Sequence, residues 1–402
     1  MNVIFLTLVR ITDIEERGIY SDLMRKFRDE GHHVYIVTPC ERRMGLETSL
    51  VESKGVHILN VKTFNIQKTN IVEKGIGTLM LERQYKSAIK KHLAGVKFDL
   101  ITYSTPPITL TNVVCYLKKK NPQAISYLQL KDIFPQNAVD IGLFGEKSVF
   151  NWYFRKKEIA LYRTSDYIGC MSPANVDYLI RHNPDYPKER VEVAANSLEL
   201  KDESPAFSDG DKFSIREKYG LPQDKPVFIY GGNLGKPQGI DYLIKCLDAN
   251  KNREDCFFLV IGSGTEYHRL KEWYSMHQGM SVRLMKGLPK QEYDLLVRSC
   301  DVGLIFLDHR FTIPNYPSRL LSYLEYKMPV ICATDVNTDI GKIAEEHGYG
   351  YWCESVKTEH FTALVDKMLQ SDMKAMGETG FRFMTENYLV EHTYHAIIKH
   401  LQ

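Results

Sequence analysis

No stretch of the 402 residues approaches the roughly 18 uninterrupted apolar positions a bilayer-spanning helix requires. The opening MNVIFLTLVRITD also lacks the basic n-region and small-residue cleavage site of a secretory signal, so it reads as a buried strand of a cytoplasmic chain. Cysteine is sparse and scattered: the eight residues Cys40, Cys115, Cys170, Cys246, Cys256, Cys300, Cys332 and Cys353 contain no CxxC pair and have no histidine at ligand spacing. That excludes the common zinc frameworks and fits small apolar side chains in a reducing compartment. The thirteen histidines form no metal-ligand pattern, so no metal is expected. Internal repeats, low-complexity tracts and Walker or GxGxxG phosphate loops are absent, and nucleic acid is not an expected partner.

What is present is 44% hydrophobic and 25% charged, enough for two cores of ordinary domain size. Short apolar runs (NVIFLTLV, HVYIVTP, DLITYST, AISYLQL, YIGCMS, VEVAAN) alternate with amphipathic stretches, the pattern of parallel strands buried on both faces. At ELKDESPAFSDGDKF the period lapses into a charged linker, after which VFIYGG, CFFLVIG, VRLMKG, VGLIFL and PVICAT resume it. Helices are expected from near Gly239, Glu266, Lys290, Ser318 and Asp339. The sequence therefore predicts an α/β chain of two Rossmann-like, doubly wound parallel-sheet domains facing a cleft. Residues 1–200 form the first, 201–377 the second, and a surplus amphipathic segment, 378–402, crosses back onto the first. Residues 1–200 hold 28 Lys and Arg against 22 Asp and Glu, leaving 24 against 28 for the rest. A basic first half suits an anionic membrane surface or a phosphate-bearing substrate, although such asymmetry also arises by chance.

Four turns of the second half carry candidate chemistry. In VFIYGGNLGKPQGIDYL, Gly231, Gly232, Gly235 and Gly239 let the backbone approach a ligand, and Lys236 can reach its charge. FFLVIGSGTEYHRLKEW repeats the theme with Gly262 and Gly264, and Gly287-Leu288-Pro289 closes a third strand. In FTIPNYPSRLLSYLEYKMPVICAT, Pro314 and Pro317 hold an extended loop, Ser318 is a candidate N-cap, and Arg319 would meet a bound anion. Taken singly, each reads equally well as a tight turn or a surface ion pair.

Their order is more specific. GNLGKPQGIDYLI, LVIGSGTEYHRL, MKGLPKQEYDLLVRSCDVGLIFL and PSRLLSYLEYKMPVI resemble, in sequence, the donor-side segments of the GT-B glycosyltransferases of family 4, specifically the bacterial surface-polysaccharide enzymes. In the first half, GHHVYIVTP, LKDIFPQNAVDIG and VEVAANSLEL resemble that group's remaining segments, so the similarity spans nearly the whole chain.

The resemblance implies transfer of a sugar from a nucleotide diphosphate donor, a UDP-sugar, to a hydroxyl of a polyprenyl-diphosphate-linked saccharide, with retention and without cofactor or metal. Gly232, Asn233, Gly235, Lys236 and Arg319 would hold the diphosphate, with Asn315, Tyr316 and Ser318 assisting. Leu288 would meet the nucleobase, and Gly262 and Gly264 would let the nucleotide lie close. Asp132 matches the group's acidic turn, where it would orient the acceptor hydroxyl or receive its proton; a capping role is the plainer alternative. Asp13 and Glu15 are further acceptor-side candidates. One position departs from the pattern: where the group carries a ribose-binding glutamate stands Ser322, with Glu325 one turn onward and Lys327 in place of the usual glycine. Lys86, Lys90, Lys91, Lys118–Lys120 and Arg155–Lys157 are candidate contacts to anionic lipid or a solvated face. A non-hydrolysing sugar-nucleotide epimerase and a non-catalytic nucleotide-sugar-binding protein remain open alternatives.

Overall fold

A computed structural model describes residues 1–66, 71–200, 207–277 and 280–401; residues 201–206 of the expected linker lie outside them. The chain divides into two units, Met1–Glu199 with Tyr388–Gln402, and Leu200–Asn387.

In chain order, unit 1 comprises β1 (Asn2–Leu6), α1 (Ile19–Asp29), β2 (His33–Glu41), β3 (Ser49–Ser53), β4 (Val56–Thr63), α2 (Ile71–His92) and β5 (Leu100–Ser104). There follow α3 (Thr111–Lys120), β6 (Ile125–Leu130), α4 (Gln136–Asp140), α5 (Val149–Thr164), β7 (Tyr167–Cys170), α6 (Pro173–His182) and β8 (Val191–Val193). Its sheet runs β3-β4-β2-β1-β5-β6-β7-β8. All neighbours are parallel except β3, which pairs antiparallel with β4 and makes the sheet mixed at that edge. Exposed side chains along most of β3 explain why a search for buried apolar runs passes over it.

Unit 2 contains α7 (Asp209–Lys218), β9 (Val227–Asn233), α8 (Ile240–Asn250), β10 (Phe257–Ser263), α9 (Tyr267–Ser275), β11 (Val282–Lys286) and α10 (Lys290–Arg298). It continues with β12 (Val302–Phe306), α11 (Arg319–Glu325), β13 (Val330–Thr334), α12 (Ile340–Glu346), β14 (Gly350–Glu354), α13 (Thr358–Leu369) and α14 (Met373–Asn387). The five expected helices start within a residue of the positions read from sequence. A fully parallel sheet ordered β11-β10-β9-β12-β13-β14 has its switch point between β9 and β12. In doubly wound sheets that is where ligands bind, beyond the strands' carboxyl ends. β12 and β13 are buried at every position, as strands covered by helices on both faces must be.

The C-terminal segment departs from expectation. Residues 378–402 are not one returning helix: α14 runs to Asn387 within unit 2, and only α15 (Val390–Ile398) belongs to unit 1. Glycines hold α14 there. A Cβ on Gly377 would lie 1.8 Å from the Lys327 carbonyl oxygen, and one on Gly380 2.8 Å from Leu324. The chain then pairs with unit 1, Leu198 N donating to the Tyr388 carbonyl and Val390 N to that of Leu198 (both 3.0 Å). Tyr394 and Ile397 of α15 join the core formed by Leu23, Met24 and Phe27 of α1.

Candidate functional site

The carboxyl ends of β9, β10 and β11 are laced together. Leu234, fully buried, donates its amide to the Ser263 carbonyl and accepts from Glu266 N (both 2.9 Å), while Gly287 N donates to the Gly262 carbonyl at 3.1 Å. Such close approach requires glycine: a Cβ on Gly262 would fall 1.9 Å from the Gly232 carbonyl oxygen, and one on Gly264 2.3 Å from that of Leu234. Gly262 and Gly264 thus have a packing duty that accounts for them fully; backbone, rather than a ligand, occupies the space they leave. Gly232 sits at φ 116°, a conformation open to glycine. Gln238 Oε1 ties the loop, accepting from Asn233 Nδ2 at 3.0 Å and Gly235 N at 3.2 Å. Lys236 projects exposed from this braced turn, with no ion pair among the described residues.

Arg319 comes to the same place from β12's side. Its guanidinium carbon lies 4.4 Å from the centre of the Tyr230 ring, and a Cβ on Gly232 would be 3.8 Å from that carbon. Arg319 is half-buried as a residue, yet its Nη1 is enclosed and has no hydrogen-bond partner among the described residues. A buried donor on a cation normally finds an acceptor, so this one marks a place for an anion. Tyrosines build the seat. The Tyr323 ring packs on Gly303, where a Cβ would fall 2.3 Å from it, and its hydroxyl donates to the Ile229 carbonyl at 3.2 Å and accepts from Gly231 N at 3.3 Å. Burial raises Tyr293 to about 12, keeping it a neutral hydroxyl beside Gly231, where a Cβ would fall 2.0 Å from its oxygen. Sequence reasoning gave Tyr230, Tyr293 and Tyr323 no role, because tyrosines at helical or strand spacing look like core.

The loop before α11 is held from below. Asp335, buried and pushed up to about 6 by desolvation, accepts from Thr338 N and Oγ1 (both 2.8 Å). Thr338 Oγ1 in turn accepts from Asn315 N at 3.0 Å, and Asn337 Nδ2 donates to the Phe311 carbonyl at 2.8 Å. Asp335 was missed as well; its only sequence signal is the aspartate-initiated turn DVNT after a strand. Tyr316 is buried and Ser318 exposed; Ser318 is not the expected side-chain cap, because its backbone is already helical and its hydroxyl makes no capping bond. Ser322 is half-buried one turn after Arg319, and Glu325 ends the helix. Lys327 adopts φ 55°, the left-handed conformation that suits glycine, and pairs with Glu378 at 2.9 Å. Leu288 is half-buried on the loop after β11. His309 is exposed 3.7 Å from Asp308, onto which Arg310 folds as a fork at 2.8 Å.

In unit 1, Asp132 follows β6. Its carboxylate accepts from Asn137 Nδ2 at 2.7 Å, its amide donates to Thr105 Oγ1 at 3.1 Å, and burial pushes its carboxyl up to about 6. That value is useful to a group that must exchange a proton near neutrality. Neighbouring Lys131 turns elsewhere, donating to the Ala194 carbonyl at 3.1 Å, with its ammonium pushed down to about 7 by burial. Asp13 and Glu15 are committed to cations: Lys54 lies 3.0 Å from Asp13, and Arg28 2.7 Å from Glu15. Both carboxyls are held below their usual range, Asp13 by the Glu15 amide first and then Lys54, Glu15 by Arg28. Among the described residues no group of His, Cys, Asp and Glu is arranged to hold a metal.

A doubly wound unit with an unsatisfied guanidinium at its switch point, joined to a second α/β unit, defines the GT-B architecture of glycosyltransferases. Residues 211–382 match the family model described as glycosyl transferases group 1, so unit 2 carries a domain of that family. The chain is 23% identical over 261 residues to the protein named Probable glycosyltransferase WbjE of Pseudomonas aeruginosa, covering 65% of this chain and 64% of that one. Just under two thirds of that relative's length is therefore matched. Among solved structures, WaaG, a glycosyltransferase involved in lipopolysaccharide biosynthesis, superposes with a TM-score of 0.67 at 13% identity over 99% of each chain. Anabaena HepE in complex with UDP superposes with a TM-score of 0.68 at 12% identity, over 100% of this chain and 99% of that one.

Proposed function

We propose that this chain transfers a sugar from a UDP-sugar to a hydroxyl of a lipid-linked saccharide in the synthesis of a bacterial surface polysaccharide, with retention of anomeric configuration. The observation that carries the donor half of this reading is the enclosed Arg319 Nη1, without a partner beside the Gly232 turn. Breaking a glycosidic phosphate bond leaves charge on the departing diphosphate, and a preorganised cation there lowers the barrier. Arg319 supplies a fixed charge and Lys236 a mobile one. The UDP in HepE and the lipopolysaccharide role of WaaG support the choice of donor and pathway class by fold analogy.

Asp132, its carboxyl poised near 6, is the acceptor-side group of this proposal, orienting the hydroxyl or taking up its proton. With Ser322 in place of a carboxylate, ribose is held by a weaker hydrogen bond, and the diphosphate contacts dominate donor affinity. Thermal-shift titration with UDP, ADP, GDP and dTDP tests the donor site, since a ligand bound only by the folded state raises its melting temperature. UDP is expected to give the largest rise. A set of flat responses to all four would end the proposal.

A further inference from the structure

Exposed large apolar side chains of unit 1 gather at one edge of its sheet. Ile76 and Leu79 lie near the start of α2, Leu143 in the loop before α5, and Val149, Phe150 and Trp152 in its first turn, with Val149 78% and Phe150 67% exposed. The strands flanking α2, α3 and α5 are parallel, so each of these helices starts beyond the carboxyl ends of the strands. Right-handed crossovers put the three helices on one face, and α2 packs on α3 and α3 on α5. That edge also bears Asp132. From its turn, Phe134 packs against Phe144 and Phe154 at 6.2 and 5.0 Å, so the loop carrying Leu143 and the first turns of α5 are braced on the acceptor-side turn.

Cations accompany the apolar tips. Between Leu143 and Lys157 the single carboxylate, Glu146, stands against Lys147, Arg155, Lys156 and Lys157. Arg155 is taken by Glu158, whereas Lys147, Lys156 and Lys157 have no ion pair among the described residues. Lys156 Nζ lies 3.8 Å from the centre of the Trp152 ring, and Lys86 and Lys90 sit over Tyr116 at 5.6 and 5.2 Å, continuing the positive face onto α2 and α3. An exposed aromatic and aliphatic rim backed by unpaired lysines matches a bilayer interface, where rings enter the headgroup layer and ammonium groups meet anionic lipid. A protein partner would be expected to offer carboxylates to these lysines but would not require four large apolar tips projecting from one short segment.

We propose that the segment Leu143–Lys157, with the lysine-bearing faces of α2 and α3, docks unit 1 onto an anionic lipid bilayer with the carboxyl edge of its sheet toward the headgroups. Its purpose, delivering the Asp132 turn to the plane where a lipid-linked acceptor lies, rests on the function proposed above; the docking itself needs no sugar nucleotide and is measured without one.

The test is flotation of the full chain with vesicles of phosphatidylcholine alone and of phosphatidylcholine mixed with phosphatidylglycerol. Each lysine near an anionic surface favours binding about fivefold, so three give a preference of about 100-fold for the anionic vesicles, falling with added salt. Phe150→Ser with Trp152→Ser should cut binding to anionic vesicles at least tenfold, and Lys156→Glu with Lys157→Glu should abolish the lipid-charge preference. The substituted side chains are exposed or half-buried, so melting temperature and the UDP-induced shift should match the parent chain and separate lost docking from lost folding. Equal flotation with both lipids, or undiminished binding by the Phe150 and Trp152 double variant, overturns the proposal. So does a concentration-dependent dimer, lost in that variant, in a chain that ignores vesicles. A flat UDP response with intact anionic flotation would sink the donor reading and leave the docking standing.

Discussion

Replacing Arg319 by methionine should stabilise the unliganded protein while removing its response to UDP, two effects of opposite sign at one residue. The reasoning starts from the enclosed Nη1, which has no acceptor among the described residues. An uncompensated guanidinium loses solvation worth several kcal/mol, and the Tyr230 ring at 4.4 Å returns about 1–2 kcal/mol of it. Partial exposure of the residue keeps the net penalty at the low end, about 1–3 kcal/mol, which methionine of similar length relieves. Unit 2 has the size at which 1 kcal/mol shifts the melting temperature by about 2–4 °C, so a rise of about 3–8 °C is expected. In the bound state, losing a charge-assisted hydrogen bond to the diphosphate costs about 1.5–3 kcal/mol, a weakening of about 10- to 150-fold. Scanning fluorimetry of Arg319→Met with and without UDP reads both at once. A lower melting temperature without ligand, combined with an undiminished UDP shift, would show that the guanidinium is a structural ion and that the phosphates bind elsewhere.

Lys236→Ala should weaken UDP binding several-fold in calorimetric titration with no change in melting temperature, since the side chain is exposed and unpaired. Asp132→Asn carries a pH signature. The folded carboxyl titrates near 6, above its ordinary 3.8, so ionisation costs stability above pH 6 and the cost fades as pH falls toward 4. The variant should therefore melt higher than the parent at pH 7 and equally at pH 4, while its turnover loses the parent's rise through pH 6; an unchanged pH–rate profile would remove Asp132 from the chemistry. Gly303→Ala would push a methyl group into the Tyr323 ring and should cost about 1–3 kcal/mol in denaturant unfolding, with weaker UDP binding because the helix carrying Arg319 moves. Lys327→Gly relieves a left-handed backbone worth about 1 kcal/mol against a weak exposed pair with Glu378, so equal or slightly higher stability is expected by the same measurement.

Much of this was legible in the linear chain. Strand runs such as VGLIFL and PVICAT are buried on both faces and declare themselves without neighbours, and helix starts near Gly239 and Lys290 follow from local pattern. The edge strand β3 escaped because its exposed residues break the apolar rule. At the site, Lys236 and Arg319 were readable as cations beside glycine turns, whereas Asp335, Tyr293 and Tyr323 were not: each acts through a residue far away in sequence. Asp13 and Glu15 looked like free carboxylates for the same reason, since their partners, Lys54 and Arg28, are distant in the chain.

By itself the sequence determined the α/β alternation, the succession of glycine turns and the two-domain reading, because hydrophobic period and turn chemistry are properties of a few consecutive residues. Tertiary structure decided what those residues do. It gave Gly262 and Gly264 to backbone packing, kept α14 with unit 2 by burying Gly377 against Lys327, and left Arg319 enclosed without an acceptor. Whether a charge is paired depends on what folding brings within about 4 Å of it, and local periodicity carries no information about that.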